Sequence, residues 1–168
     1  MNAVYERENA VTGFQVAVMI KRRPAPPKPW LRDSWQVTGV VAKSQGLPAN
    51  GGVLVHSGPD GDDYLWNGLT IRLHKDEVES YYHNLMSDRP CVYVISSTNA
   101  QGILEPFLVS ACFDEASAYT DTEESVEAVP MPPELYPWVE GYVLTHYVPE
   151  PRVKRQRRDW KESDREQR

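Results

Sequence analysis

Long apolar runs are missing from this chain of 168 residues; the longest, such as Val16-Ala17-Val18-Met19-Ile20, are about five residues. A helix that crosses a bilayer needs roughly twenty such residues, so no membrane span is expected. The opening segment, Met1 to Glu8, carries charge and has no apolar core of the kind a secretory leader requires. The expected compartment is therefore the cytoplasm. Cysteine is nearly absent too, with only Cys91 and Cys112. Both fall in β-like runs that a symmetric hairpin register sets nearly opposite one another. A cross-strand disulfide fits that placement, while a reducing cytosol favours two buried thiols. Their spacing is not that of a redox CxxC pair, and no histidines adjoin them to complete a zinc site.

The signatures of common chemistries are equally scarce. HExxH, GxSxG, GxGxxG and the phosphate-binding GxxxxGK[ST] loop do not occur. The four histidines, His56, His74, His83 and His146, are scattered, and the nine-residue separation of His74 and His83 gives no shared ligand face on a helix. Gly51-Gly52 and Gly58-Pro59-Asp60-Gly61 are followed by strand-like segments rather than helices, so they read as turns and not as phosphate cradles. Asp60-Gly61-Asp62-Asp63 has the composition of a calcium loop without the later bidentate Glu or the flanking helices, and reads as a solvated hairpin tip. No catalytic residue, metal site or cofactor is assigned on these grounds, and a non-enzymatic protein is expected.

What is present is material for one folded unit. Five Trp, nine Tyr and three Phe accompany 40% hydrophobic residues. Residues 1–12 read as a flexible lead-in, residues 13–148 as a single α+β domain, and residues 149–168 as a basic, disordered C-terminal arm. Strands are predicted at Phe14–Ile20 and Trp35–Val41, separated by a connection holding Pro24, Pro26, Pro27 and Pro29. Ser44 to Gly52 reads as loop. Val53–His56 and Tyr64–Trp66 flank the Pro59–Asp62 turn, and Asn67-Gly68 predicts a second tight turn before a strand at Leu69–Leu73. Asp76 and Glu79 stand at capping-box spacing ahead of a helical stripe of Val78, Tyr81, Tyr82, Leu85 and Met86. Strands at Cys91–Ser97 and Phe107–Phe113 follow. The acid-rich stretch Asp114–Glu127 is read as partly helical. Pro132-Pro133 opens a last helix with the stripe Leu135, Trp138, Val139, Tyr142 and Val143. The expected fold class is α+β: a mostly antiparallel sheet, or a small partly closed β-barrel, packed by two or three helices.

Charge is distributed unevenly. The chain has 18 basic and 24 acidic residues, a formal net of −6. Residues 151–168 hold eight of the basic residues and four of the acids, a net of +4, which leaves −10 on the rest. Arg152, Lys154, Arg155, Arg157 and Arg158 are concentrated at the start of this arm with no acid among them, and are the expected partner-binding residues. Lys21, Arg22 and Arg23, with Lys28, form a second basic patch around the proline-rich connection. With Trp30 and Trp35 it is a possible second binding surface. Nucleic acid is disfavoured as a partner, because the body is acidic, the arm has few aromatics for stacking, and no recognised nucleic-acid motif is present.

Four stretches together resemble an uncharacterised bacterial family, domain-of-unknown-function family 3305. They are Lys21-Arg22-Arg23-Pro24 with Trp30 and the strand from Trp35 to Val40; Leu73 to Tyr81 running on to Asn84-Leu85; Val126 to Pro132; and His146-Tyr147-Val148 leading to Lys154-Arg155-Gln156-Arg157. The resemblance covers most of residues 14–158, and its most specific piece is Val129-Pro130-Met131-Pro132 with the following helix and basic run. It implies a gene neighbourhood beside formate dehydrogenase, and hence an accessory role for a molybdenum- or tungsten-dependent enzyme. Arg152 stands after Pro151 where the family pattern usually has an aromatic. The leading expectation is an accessory or assembly factor whose arm docks on formate dehydrogenase, on its maturation proteins, or on a pterin-nucleotide phosphate. The alternatives are a nucleic-acid-binding module and a small barrel that carries a ligand.

Overall fold

The computed structural model describes residues 13–42 and 51–151. Among these residues seven strands are arranged in two antiparallel sheets. The first contains β1 (Gly13–Arg23), β2 (Ser34–Ala42), β3 (Gly51–Gly58) and β4 (Gly61–Arg72) in the order β2-β1-β4-β3. The second contains β5 (Cys91–Thr98), β6 (Leu104–Ser110) and β7 (Ser125–Pro130) in the order β6-β5-β7. A 3₁₀ turn at Lys75–Glu77 leads into α1 (Val78–Leu85); α2 (Phe113–Ser117) and α3 (Leu135–His146) complete the described elements. No helix among the described residues is long and apolar enough to cross a membrane.

β2 lies beside β7 and β4 beside β6, but no ladder joins either pair, so the two sheets do not close into a barrel. At the first junction a side chain stands where a partner strand would: the Val37 N–H donates to the Glu127 carboxylate at 3.4 Å. Of the two architectures expected, the antiparallel-sheet one is observed.

The core lies between the sheets and under the helices. β1 contributes Val16, Ala17, Val18 and Ile20, and β5 contributes Val92, Val94 and Ile95, all buried. Tyr81 and Leu85 of α1 and Leu135, Val139, Tyr142 and Val143 of α3 cover them, whereas Met86, expected in the first stripe, lies past the end of α1 and is exposed. Phe14 packs on Trp138 with ring centroids 5.3 Å apart, tying the start of β1 to α3. Each fully buried aliphatic side chain contributes about 2 kcal/mol of transfer free energy.

Several expectations are corrected. Asn67-Gly68 is not a chain reversal, and β4 runs straight through it. Val16 pairs with Leu69 and Val18 with Trp66, so Ala17 faces two residues of β4. The left-handed φ of Gly68 (93°) is used by this bulge, which glycine tolerates at no steric cost. The stretch read as partly helical contains α2 but ends in a strand, β7, whose Val129 faces the core. No side-chain cap forms at α1. The entry to that helix is held by the buried Tyr81 hydroxyl, which accepts from the His74 N–H at 3.0 Å and donates to the Glu77 carboxylate at 2.7 Å. Burial, with the Glu77 carboxylate beside it, raises the Tyr81 pKa well above that of a free phenol.

Cys91 and Cys112 are both free thiols. The hairpin register that would set them opposite holds as far as Tyr93↔Ser110. Beyond it, Asn84 of α1 enters between the strands. Its Nδ2 donates to the carbonyls of Cys91 (2.8 Å) and Ala111 (2.9 Å), and its Oδ1 accepts from the Cys91 N–H (3.0 Å). Buried Cys112 caps α2, its Sγ accepting from the Glu115 N–H at 3.4 Å. Replacing Asn84 by Ala should therefore lower the unfolding free energy by about 3 kcal/mol, since three backbone groups lose their partner. Urea denaturation measures this directly, and a change below about 0.5 kcal/mol, the scatter of an ordinary surface substitution, would show that the bridge is dispensable.

Candidate interaction surfaces

The expected arm residues Arg152, Lys154, Arg155, Arg157 and Arg158 lie outside the described residues, as do the lead-in 1–12 and most of the loop before β3. The root of the arm is described. α3 ends at Tyr147, which turns to an extended conformation (φ −80°, ψ 122°) while its N–H still bonds the Val143 carbonyl at 2.8 Å. Its ring stacks on Tyr82 of α1, with centroids 4.4 Å apart and planes within 12°. Val148, Glu150 and Pro151 then border an open cleft of about 1040 Å³ between α1 and the end of α3. Asp76, Glu79 and Glu150 supply negative charge to its walls, and Met86 and Val148 supply apolar surface that is 67% and 78% exposed. His83 and His146 also border it, with His83 set 3.6 Å from Glu79 one helical turn earlier. His74 lies at the helix entry and His56 reaches Asp63 at 3.3 Å, so the four histidines do not converge. Among the described residues no group of three or more His, Cys, Asp or Glu side chains could hold a metal ion.

The second surface is built by the pairing of β1. Register places Lys21 opposite Asp63 and Arg22 opposite Asp62. Lys21 accordingly meets Asp63 at 3.1 Å, and Arg22 meets Asp62 at 3.2 Å. Arg22 also bonds Asp33 at 2.6 Å through a second guanidinium nitrogen. Arg23 donates to Gln36 at 3.2 Å. Three charges of the patch seen in sequence as basic are thus engaged, two of them by carboxylates, and Asp62 and Asp63 of the expected solvated tip, with Asp33, are the counter-charges. Sequence inspection missed Asp33, Asp62 and Asp63 as partners, although the alternation of β1 against β4 carries the signal. The approach is close: a Cβ on Gly61 (φ 124°) would lie 2.1 Å from the Arg22 carbonyl oxygen.

Asp33 closes the proline-rich connection on itself. One carboxylate oxygen accepts from the Ala25 N–H at 2.9 Å and the other from Arg22 at 2.7 Å. The Ala25 N–H first, and the Arg22 guanidinium second, hold Asp33 below its ordinary carboxyl value of 3.8. Within the loop so fixed, Leu31 donates to the Lys28 carbonyl at 3.1 Å and the Lys28 ammonium lies 5.8 Å from the centre of the Trp30 ring. Trp30 itself is 74% exposed. Trp35, the other tryptophan of the expected surface, is half-buried against Tyr64 at 5.5 Å.

A family model described as "Protein of unknown function (DUF3305)" matches residues 15–157, and the chain belongs to that family. No curated protein and no solved structure matches it.

The Asp33 clasp has a defined pH signature. A carboxyl whose pKa is depressed on folding stabilises the fold above its unfolded pKa and loses that contribution as pH falls through the folded value. The stability difference between the parent chain and Asp33→Asn should therefore be full above about pH 5 and shrink toward about pH 2. Thermal unfolding across that range measures it. A difference independent of pH would show that Asp33 carries no clasp charge.

Proposed function

We propose that this member of the DUF3305 family is a non-enzymatic accessory or assembly factor, docking through Arg152, Lys154, Arg155, Arg157 and Arg158 on an acidic surface of a partner protein in the cytoplasm. The observation that carries this reading is the reversal of charge at residue 151, from −10 on the body to +4 on the arm. An acidic body repels an acidic partner while the arm attracts it, so the arm is where first encounter is favoured, and it both orients the complex and accelerates its formation. The root supports the same reading. The Tyr82–Tyr147 stack fixes where the chain leaves the body, and exposed Met86 and Val148 stand beside that point as apolar surface for a partner held by the arm. The partner is a formate dehydrogenase, a molybdenum or tungsten enzyme, or one of its maturation proteins; this rests on the family resemblance and its implied gene neighbourhood.

Affinity purification from the native host under conditions that induce formate dehydrogenase tests the proposal. Full-length bait should recover formate dehydrogenase or its maturation proteins. Bait with the five arm residues replaced by Gln should recover at least about tenfold less, and recovery with full-length bait should decline with salt. Equal recovery by both baits would move the contact to the folded body. Recovery of neither protein class by full-length bait would remove the formate dehydrogenase assignment.

A further inference from the structure

The connection between β1 and β2 presents a side-chain set that the arm does not use. We propose that the loop Lys28–Asp33, with the cleft beside it, is a second docking site, which takes an acidic peptide segment carrying an apolar side chain.

Four observations lead there. The loop is preorganised: prolines occupy four of the six positions from Pro24 to Pro29, and Asp33 ties both Ala25 and Arg22 to the loop's far end. A loop already held in place loses little conformational entropy on binding. At its tip Trp30 and Leu31 are 74% and 44% exposed, side by side with Arg32. Trp and Arg are the residue types that most often dominate binding energy at protein interfaces. Next to them is a cleft of about 500 Å³, bordered by Leu31, Arg32, Trp35, Tyr64 and Gly102, large enough for one or two side chains of a partner.

Charge selects the occupant. Lys21 and Arg22 are neutralised by Asp63, Asp62 and Asp33. Among the described residues Lys28 and Arg32 have no carboxylate partner, so the surface offers two free cations on an otherwise acidic body. A short segment with two carboxylates flanking an apolar side chain matches this set: the carboxylates reach Lys28 and Arg32, and the apolar group fills the cleft against Trp35. A nucleic-acid strand matches it poorly, because successive phosphates need a continuous basic track, whereas here the loop supplies only Lys28 and Arg32.

The site is separable from the arm by experiment. The bait is the full-length chain with the five arm residues replaced by Gln, so that no acidic peptide is retained by the arm. Selection from a displayed library of random peptides should enrich sequences holding at least two acids around an aromatic or aliphatic residue. Trp30→Ala and Arg32→Glu, both at exposed positions, should each weaken the selected peptides by at least about tenfold. Failure to enrich any peptide, enrichment without acids, a loss below about threefold in either variant, or tighter binding of random-sequence single-stranded DNA would each overturn the proposal. None of these outcomes bears on capture through the arm.

Discussion

β1 is hydrogen-bonded along both edges, and its register against β2 and β4 places most of what is distinctive about this chain. Its inner face supplies Val16, Val18 and Ile20 to the core, and the same alternation carries its last turn out of the core toward solvent. There the pairing with β4 sets Lys21 and Arg22 across from Asp63 and Asp62. A slip of one residue would send every side chain of the strand to the opposite face, exposing the valines and separating those ion pairs. The Ala17 bulge, made possible by Gly68, is part of this constraint, because it brings the two ends of the long ladder into phase with the core. Packing and electrostatics are therefore not independent in the first sheet: hydrophobic burial selects the register, and the register selects the ion pairs.

The helices couple the second sheet to the rest through polar groups at its frayed end. Asn84 substitutes for ladder bonds between Cys91 and Ala111, and Tyr81 ties the start of α1 to the chain just before it. Both side chains come from one face of α1, so the helix that covers the core also completes the sheet. The opposite flank of α1 carries Tyr82 and Met86 outward, where Tyr147 meets Tyr82 and the chain departs toward the arm. The position of the arm's root thus follows from the same helix that closes the core. The two surfaces of interest sit at different ends of this arrangement, one where β1 leaves the core and one where α3 ends, which makes them open to separate perturbation.

Period and composition were enough to locate β1, β2, β5, α1 and α3 within a few residues, because each carries a run of β-forming residues or a helical stripe. They failed where a short-range signal had a different tertiary use. Asn67-Gly68 is a strong turn dipeptide in isolation, yet the same left-handed glycine serves a bulge when β1 lies alongside. Asp76 and Glu79 have capping-box spacing, but the Tyr81 hydroxyl reaches the helix entry instead. Carboxylates dominate the stretch before Pro130, and they concealed β7, whose strand character rests on only Val126 and Val129 and on an available edge of β5. The cysteines were placed in the right register, but the intervention of Asn84 is a long-range contact with no local signature.

The same division holds for the candidate sites. The sequence by itself determined the charge reversal at residue 151, the proline-rich connection after β1 and the alternation that makes an antiparallel α+β fold, because charge, proline geometry and period are properties of the chain at short range. Only the tertiary structure decided which cations are engaged. Lys21 and Arg22 look like a free basic patch until strand pairing brings Asp33, Asp62 and Asp63 against them, residues up to 42 positions away in the chain. Trp30 and Trp35 look alike in sequence, and only packing against Tyr64 separates the half-buried one from the exposed one. Burial and ion pairing depend on which distant segments arrive at a residue, and that is settled by the register of the sheets rather than by the residue's own neighbours in sequence.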